Sequence, residues 1–220
     1  MKVKLIGFTP NPDELPGLAA KLTHSKTTPE MLDGSSSKEL QSILKHVMNL
    51  GHMSVVEHSS FTFAISDVSR SLTHQLVRHR IASYSQQSQR YVNLIEPIFV
   101  IPPKIEKDEK LRKAYCKTMD TIWVEYNKLL ELGIPVEDAR YVLPNATLTN
   151  IIVTMNARSL LNFFDLRCCH HAQWEIRKLA NMMLKEVKKV APVIFSDAGP
   201  SCIRLNYCPE HKTDCPRYPK

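Results

Sequence analysis

Guanidinium, imidazole and hydroxyl groups crowd into residues 78–90, where Arg78, His79, Arg80, Ser83, Ser88 and Arg90 stand close together. A guanidinium presents a planar fork of donors that matches phosphate oxygens two at a time, and a serine hydroxyl adds a small rotating donor. A segment of this make-up is suited to hold an anion whose shape matters. Taken alone, the same charges also fit a solvated basic helix face.

Three further groupings carry chemical side chains. In Gly51-His52-Met53-Ser54-Val55-Val56-Glu57-His58, His52 and Glu57 are candidate acid–base partners. HExxH is absent, and the spacing of His52 and His58 puts their imidazoles on different helix faces, so no metal is expected there. A structural histidine fits either position. Arg140, in Asp138-Ala139-Arg140-Tyr141-Val142-Leu143-Pro144, reads alone as a surface residue or a partner of Asp138. Asn156, Arg158 and Asn162 are interleaved with Leu160, Leu161, Phe163 and Phe164. Polar groups among apolar neighbours need partners, which a ligand can supply. Helix capping by Asn156 and an internal ion pair for Arg158 account for them equally well. Cys168, Cys169, His170 and His171, like Cys208, His211 and Cys215, lack paired ligand spacing and a four-ligand set, so no metal is expected. Neither GxGxxG nor a P-loop occurs among only six glycines, so a nucleotide cofactor must be held by side chains and helix ends.

The elements that position these groups follow from periodicity. Residues 1–8 alternate as an opening strand, which Pro10, Pro12 and Pro16 end. Residues 37–50 have helical spacing, with Ser36 or Ser37 as N-cap and Gly51 as a stop. Phe61, Phe63 and Ile65 alternate as a strand, after which Asp67 or Ser69 caps a helix running to Arg80. On that helix Gln75 shares a face with Arg78 and His79. The segment 95–103 reads as extended chain, 110–132 as the clearest helix, 136–142 as a short helix and 147–156 as a strand. Helices follow at 158–165 and 171–190, and the tail from about 200 to 220 is irregular. Strands and helices without a βαβ rhythm predict an α+β fold: a mixed, largely antiparallel sheet packed with helices in a single domain, 1–220.

The chain has 220 residues, 43% hydrophobic and 23% charged, which are globular values. Its net charge of +7 favours anionic ligands without separating nucleotides from nucleic acid. The N-terminal apolar stretch is too short for a signal segment and no run is long enough for a membrane span, so a soluble, cytoplasmic protein with six reduced cysteines is expected.

Residues 78–90 fit RHRxxSxxxxSxR at every fixed position, and with the other three segments the chain resembles the flavin-dependent thymidylate synthases. The resemblance covers over half the chain and is weak in the N-terminal third. It implies reductive methylation of dUMP to dTMP, with 5,10-methylenetetrahydrofolate as carbon donor, FAD as cofactor and NADPH as reductant. It also implies a homotetramer with sites where subunits meet. Carried over position by position, it assigns dUMP to Gln75, Arg78, Gln86, Ser88, Gln89, Arg90, Arg140 and Arg167, with Arg167 as the catalytic residue beside the uracil. It assigns FAD to Ser54, Glu57, Arg78, His79, Arg80, Asn156, Arg158 and Asn162, and His52 to the folate or flavin side. Gln86 and Gln89 stand where many members have Glu and Gly, and Ser85 where Asn is frequent, so a carboxylate contact to the nucleotide is lost.

Three rival readings remain. An arginine-rich module for RNA or single-stranded DNA lacks aromatic interleaving beyond Tyr84 and Tyr91, so no nucleic acid is expected as partner. Another flavoenzyme acting on a different pyrimidine nucleotide would use the same scaffold. A synthase attacking the uracil through cysteine would need a thiol beside the arginines, which only Cys168 and Cys169 approach.

Overall fold

The computed structural model describes residues 1–32 and 34–219. Strand β1 (Lys2–Phe8) alternates exposed and half-buried residues along its length. A left-handed Asn11 turns the chain into helix α1 (Leu15–Thr23), which starts with a proline in its first turn. Helix α2 (Ser37–Asn49) begins where the Ser36 hydroxyl accepts the Glu39 N–H, and it is followed by Gly51 at φ 82°. A short 3-10 turn, Val55–His58, leads to β2 (Ser60–Ser69). Helix α3 (Arg70–Leu76) follows at once, its N-terminus closed by the Ser69 hydroxyl on Leu72 N–H at 2.9 Å. Next come β3 (Ala82–Gln86), the short α4 (Pro103–Glu106) and the long α5 (Glu109–Glu131), which Asp108 caps through Lys110 and Leu111. Helix α6 (Val136–Ala139) runs into a 3-10 turn at Arg140–Val142 and then β4 (Leu148–Asn156). Helices α7 (Ala157–Arg167), α8 (Trp174–Val190) and α9 (Ser201–Leu205) complete the chain.

The strands form one sheet in the order β1-β2-β4-β3. Thr62 meets Thr154 and the Asp67 N–H meets the Asn150 side chain, which makes the central pair antiparallel; β1 and β3 pair in the same sense. The expected α+β class is what the chain adopts. Two compact units divide it, one from Met1–Lys2, Ile65–Val77 and Ser85–Ile151, the other from Val3–Ala64, Arg78–Tyr84 and the chain from Ile152 onward. Strands β2 and β4 contribute residues to both.

In the first unit the face of α5 bearing Met119, Trp123 and Tyr126 is buried with Leu94 and Ala139. The polar tips of the two large rings are satisfied: Trp123 donates to the Leu94 carbonyl at 2.9 Å and Tyr126 to Asn93 at 3.0 Å. The second unit is built on aromatic contacts, with Phe195 edge-on to Phe61 and to Phe164 at 5.4 and 5.9 Å between ring centres. Buried Asp13 accepts from Val193 and Ile194 N–H at 2.9 and 3.0 Å, which ties the chain after α8 to the turn after β1.

Three differences from the sequence reading have physical causes. Helix α1 was not expected, because Pro10, Pro12 and Pro16 read only as the end of the opening strand. Proline fits a first helical turn, and Gly17 is there because a Cβ would lie 2.2 Å from the Leu40 carbonyl oxygen of α2. The helix expected to reach Arg80 stops at Leu76. The His79 carbonyl is taken by the Tyr84 hydroxyl at 2.7 Å, and Ile81 turns left-handed at φ 62°, so Gln75 does not share a helical face with Arg78 and His79. The turn opens into β3, whose polar sequence Ala-Ser-Tyr-Ser-Gln gave no hydrophobic alternation to read.

Gly17→Ala should therefore lose about 1–3 kcal/mol of stability through forced separation of α1 and α2, read as a lower denaturant midpoint at unchanged slope.

Candidate functional site

In the first unit, Arg90 and Arg140 converge on one residue. Arg90 Nε donates to Glu137 Oε2 at 2.9 Å, and Arg140 Nε donates to the Glu137 carbonyl at 3.0 Å. Asp138, the partner considered for Arg140, is not the group it meets. The 3-10 turn places Arg140 here, one turn beyond the start of α6. Arg70, at the start of α3, feels the Arg140 charge; burial first and that charge second hold its pKa below the ordinary arginine value. The Ser88 hydroxyl accepts the Arg90 N–H at 3.1 Å, so Ser88 shapes the turn that carries Arg90. Gln86 Nε2 donates to Thr73 Oγ1 at 3.1 Å and Thr149 Oγ1 at 3.3 Å. The Thr73 hydroxyl hydrogen is already committed to the Arg70 carbonyl at 2.9 Å, so its oxygen can only accept and the Gln86 amide has one orientation. Gln75 and Gln89 are half-buried in the same unit.

In the second unit, the cap and the ion pair considered for the Asn156 segment are both present. Asn156 Oδ1 accepts the Ser159 N–H at 2.8 Å, and Arg158 is paired with Glu57 across a hundred residues of chain. Arg158 and Asn162, one turn apart on α7, line a cavity of about 600 Å³ together with Lys45, Met53, Asp165 and Arg204. Lys45 and Arg204 belong to it but went unrecognised in the sequence, since neither stands in a motif. Arg204 is held on α9 by Asp165 at 2.6 Å. His52, Ser54, Arg78 and Arg80 are exposed.

His79 is the buried member of the Arg78-His79-Arg80 run, 7% exposed. Its Nε2 accepts the Arg167 Nε–H at 2.8 Å, and its ring stands edge-on to Phe163 at 4.9 Å. Burial, and after it the Arg167 charge, push its pKa down from 6.5 to about 4. Arg167 is itself lowered by burial. The nearby Tyr84 hydroxyl is pushed up to about 12 by burial. Among the described residues no three His, Cys, Asp or Glu side chains are grouped to hold a metal.

The family profile described as Thymidylate synthase complementing protein matches residues 4–193. The flavin-dependent thymidylate synthase of Clostridium tetani is 50% identical over 98% of this chain and 93% of its own length. That of Geobacter sulfurreducens is also 50% identical, over 98% and 94%. The chain belongs to the flavin-dependent thymidylate synthase family. The flavin-dependent thymidylate synthase of Pyrococcus horikoshii is 45% identical over 96% of this chain and 91% of its own. A solved UMP/dUMP methylase from Streptomyces cacaoi, bound with 5-Br dUMP, has the same fold, with a TM-score of 0.77 at 24% identity over 89% of this chain and 93% of that one. Within this family's fold, Arg90 and Arg140 meet at Glu137, Arg158 and Asn162 line the α7 cavity, and His79 pairs with Arg167.

A histidine pKa lowered from 6.5 to about 4 means the folded protein favours the neutral ring. The stability His79 contributes is complete above its ordinary value and is lost as pH falls toward 4. Histidine-resolved NMR titration should show this ring neutral down to about pH 5. Arg167→Ala should raise its pKa only part of the way back, because burial is the larger cause.

Proposed function

We propose that this chain converts dUMP to dTMP by reductive methylation, with 5,10-methylenetetrahydrofolate as carbon donor, FAD as bound cofactor and NADPH as reductant. The observation that carries the reading beyond family membership is the meeting of Arg90 and Arg140 on Glu137 at 2.9 and 3.0 Å. A phosphate dianion has acceptors for both guanidiniums held at Glu137, and Arg70 adds to the positive field there. Ser88, Gln89, Gln75 and Arg78 complete the assignment to the nucleotide, and Gln86 offers it a fixed neutral acceptor.

The α7 cavity suits FAD by its donor set. Arg158, Asn162, Lys45 and Arg204 supply charged and amide donors for phosphate and ring heteroatoms, while Met48, Met53, Leu161 and Ile194 supply apolar surface for flat rings. Ser54, Glu57, His79, Arg80 and Asn156 are assigned to the same cofactor, and His52 to its folate-facing side. Bound FAD, once reduced by NADPH, would supply the reducing electrons that side chains cannot. The chain's own task is to enrich uracil C5, a poor nucleophile, and Arg167 does so by stabilising negative charge on the ring without losing its own proton. Ser88 is not a nucleophile in this scheme. Its hydroxyl is engaged by the Arg90 N–H at 3.1 Å, an interaction that supplies no base.

We read the chain as one domain, since neither compact unit can be cut out without breaking β2 and β4. A homotetramer is supported by apolar side chains left in the open on β1 and β4, namely Ile6 and Phe8 at 48% and 46% exposed and Ile152 at 45%. No helix among the described residues is long and apolar enough to cross a membrane. All six cysteines are unpaired, which suits the reducing cytoplasm.

Flavin absorption bands released on denaturation, together with dTMP formed from dUMP, test the reading directly. Arg90→Ala or Arg140→Ala should weaken dUMP binding by about 1.5–3 kcal/mol, the range for charge-assisted hydrogen bonds, as read by titration calorimetry. Unchanged affinity in both would remove the phosphate assignment. Arg167→Ala should keep its FAD and lose dTMP formation through kcat more than through nucleotide affinity, the pattern of a contact made in the transition state.

A further inference from the structure

We propose that His79 is the positioning residue for Arg167: its Nε2 accepts the Arg167 Nε–H and leaves the two terminal nitrogens of the fork for the uracil ring. The inference rests on the proposed role of Arg167 and says how this chain aims it.

The contact is specific in its chemistry. At 2.8 Å from a guanidinium Nε, which can only donate, His79 Nε2 must carry a free lone pair. The ring proton therefore sits on Nδ1, and the ring is neutral. A protonated imidazole would have no lone pair to offer and would repel the guanidinium. Burial guards against that state, for His79 is 7% exposed and its pKa is lowered to about 4. The ring is also fixed in space. The Tyr84 hydroxyl holds the His79 carbonyl at 2.7 Å, and Phe163 stands edge-on to the ring at 88°. Phe163 and Arg167 are one turn apart on α7, so a single helix face supplies both the ring's aromatic neighbour and its hydrogen-bond donor.

The choice of Nε decides what the fork can do. A carboxylate partner would take two parallel N–H groups and neutralise the charge that the uracil anion needs. A neutral acceptor on the inner nitrogen holds the plane of the guanidinium, leaves its charge intact and spares both terminal NH2 groups. That is the preorganisation a developing oxyanion requires. No motif joins the two residues, which lie 88 positions apart.

The test uses the FAD-loaded enzyme. His79→Phe keeps a flat ring without the lone pair, and His79→Gln supplies an acceptor oxygen. Counted per FAD-loaded site, because His79 is also assigned to the cofactor, His79→Phe should keep nearly wild-type KM for dUMP while kcat falls on the order of 10²-fold, the scale of a misplaced catalytic group. His79→Gln should recover most of that loss. In an Arg167→Lys background, where no fork remains to aim, His79→Phe should cost nothing more. Equal loss in the Phe and Gln variants, or full additivity with Arg167→Lys, would overturn the proposal. NMR of the wild type reads the contact whatever the variants do: a slowly exchanging Arg167 Nε–H that becomes fast in His79→Phe supports it, and a freely exchanging one in the wild type sinks it. If the wild type makes no dTMP yet shows that protection, the reaction assigned to Arg167 fails while the His79 contact stands.

Discussion

The placement of the functional side chains depends on two side-chain oxygens at the points where strand becomes helix. Ser69, the last residue of β2, caps α3 through Leu72, and Asn156, the last residue of β4, caps α7 through Ser159, at 2.9 and 2.8 Å. No loop intervenes, so each cap sets the rotational phase of the helix it opens. On α7 that phase gives Arg158 and Asn162 to the cavity and, on another face, Phe163 and Arg167 to His79. On α3 it presents Thr73 to Gln86. Losing either cap would rotate or fray the first turn and so displace residues that never touch the cap.

Charge is distributed by a simple contrast. Arg90, Arg158 and Arg204 each have an acidic partner, in Glu137, Glu57 and Asp165, and all three guanidiniums remain about half exposed. Pairs of this kind contribute about 0–1 kcal/mol, so they hold a guanidinium ready while yielding readily to an anionic ligand that competes for it. Arg167 instead leans on an uncharged imidazole and keeps its positive charge uncompensated. The first arrangement suits binding, where one anion replaces another. The second suits chemistry, where charge develops only briefly.

Much of the frame was legible in the sequence because it is written in short-range periodicity. The opening strand, α2 with its Ser36 cap and Gly51 stop, α5, β4 and the pair of helices after it all stand within a few residues of where hydrophobic spacing puts them. Helix α1 was hidden because Gly17 answers to Leu40, a neighbour the local pattern does not contain. Strand β3 was hidden because its inward face, Ala82, Tyr84 and Gln86, carries no aliphatic alternation against Ser83 and Ser85. The same division runs through the site: the motifs pointed to Arg90, Arg140, Arg158 and Arg167 one by one. Arg140 meets Glu137 three residues away, but Arg90, Arg158 and Arg167 meet Glu137, Glu57 and His79 across 47, 101 and 88 positions, and only folding reveals which arginine meets a carboxylate and which an imidazole.

Ile81 gives the Arg78-His79-Arg80 run an unusual intolerance of length change. A β-branched side chain at φ 62°, itself 76% exposed, costs on the order of 1–3 kcal/mol and gains little contact in return. The chain accepts that cost at the one joint where a turn must become a strand while an imidazole faces inward between two outward guanidiniums. Deleting or inserting a single residue between His79 and Ala82 would exchange the facing of neighbours, burying a guanidinium where the imidazole now sits. Drift in this loop is therefore open to changes of side chain but closed to changes of residue count.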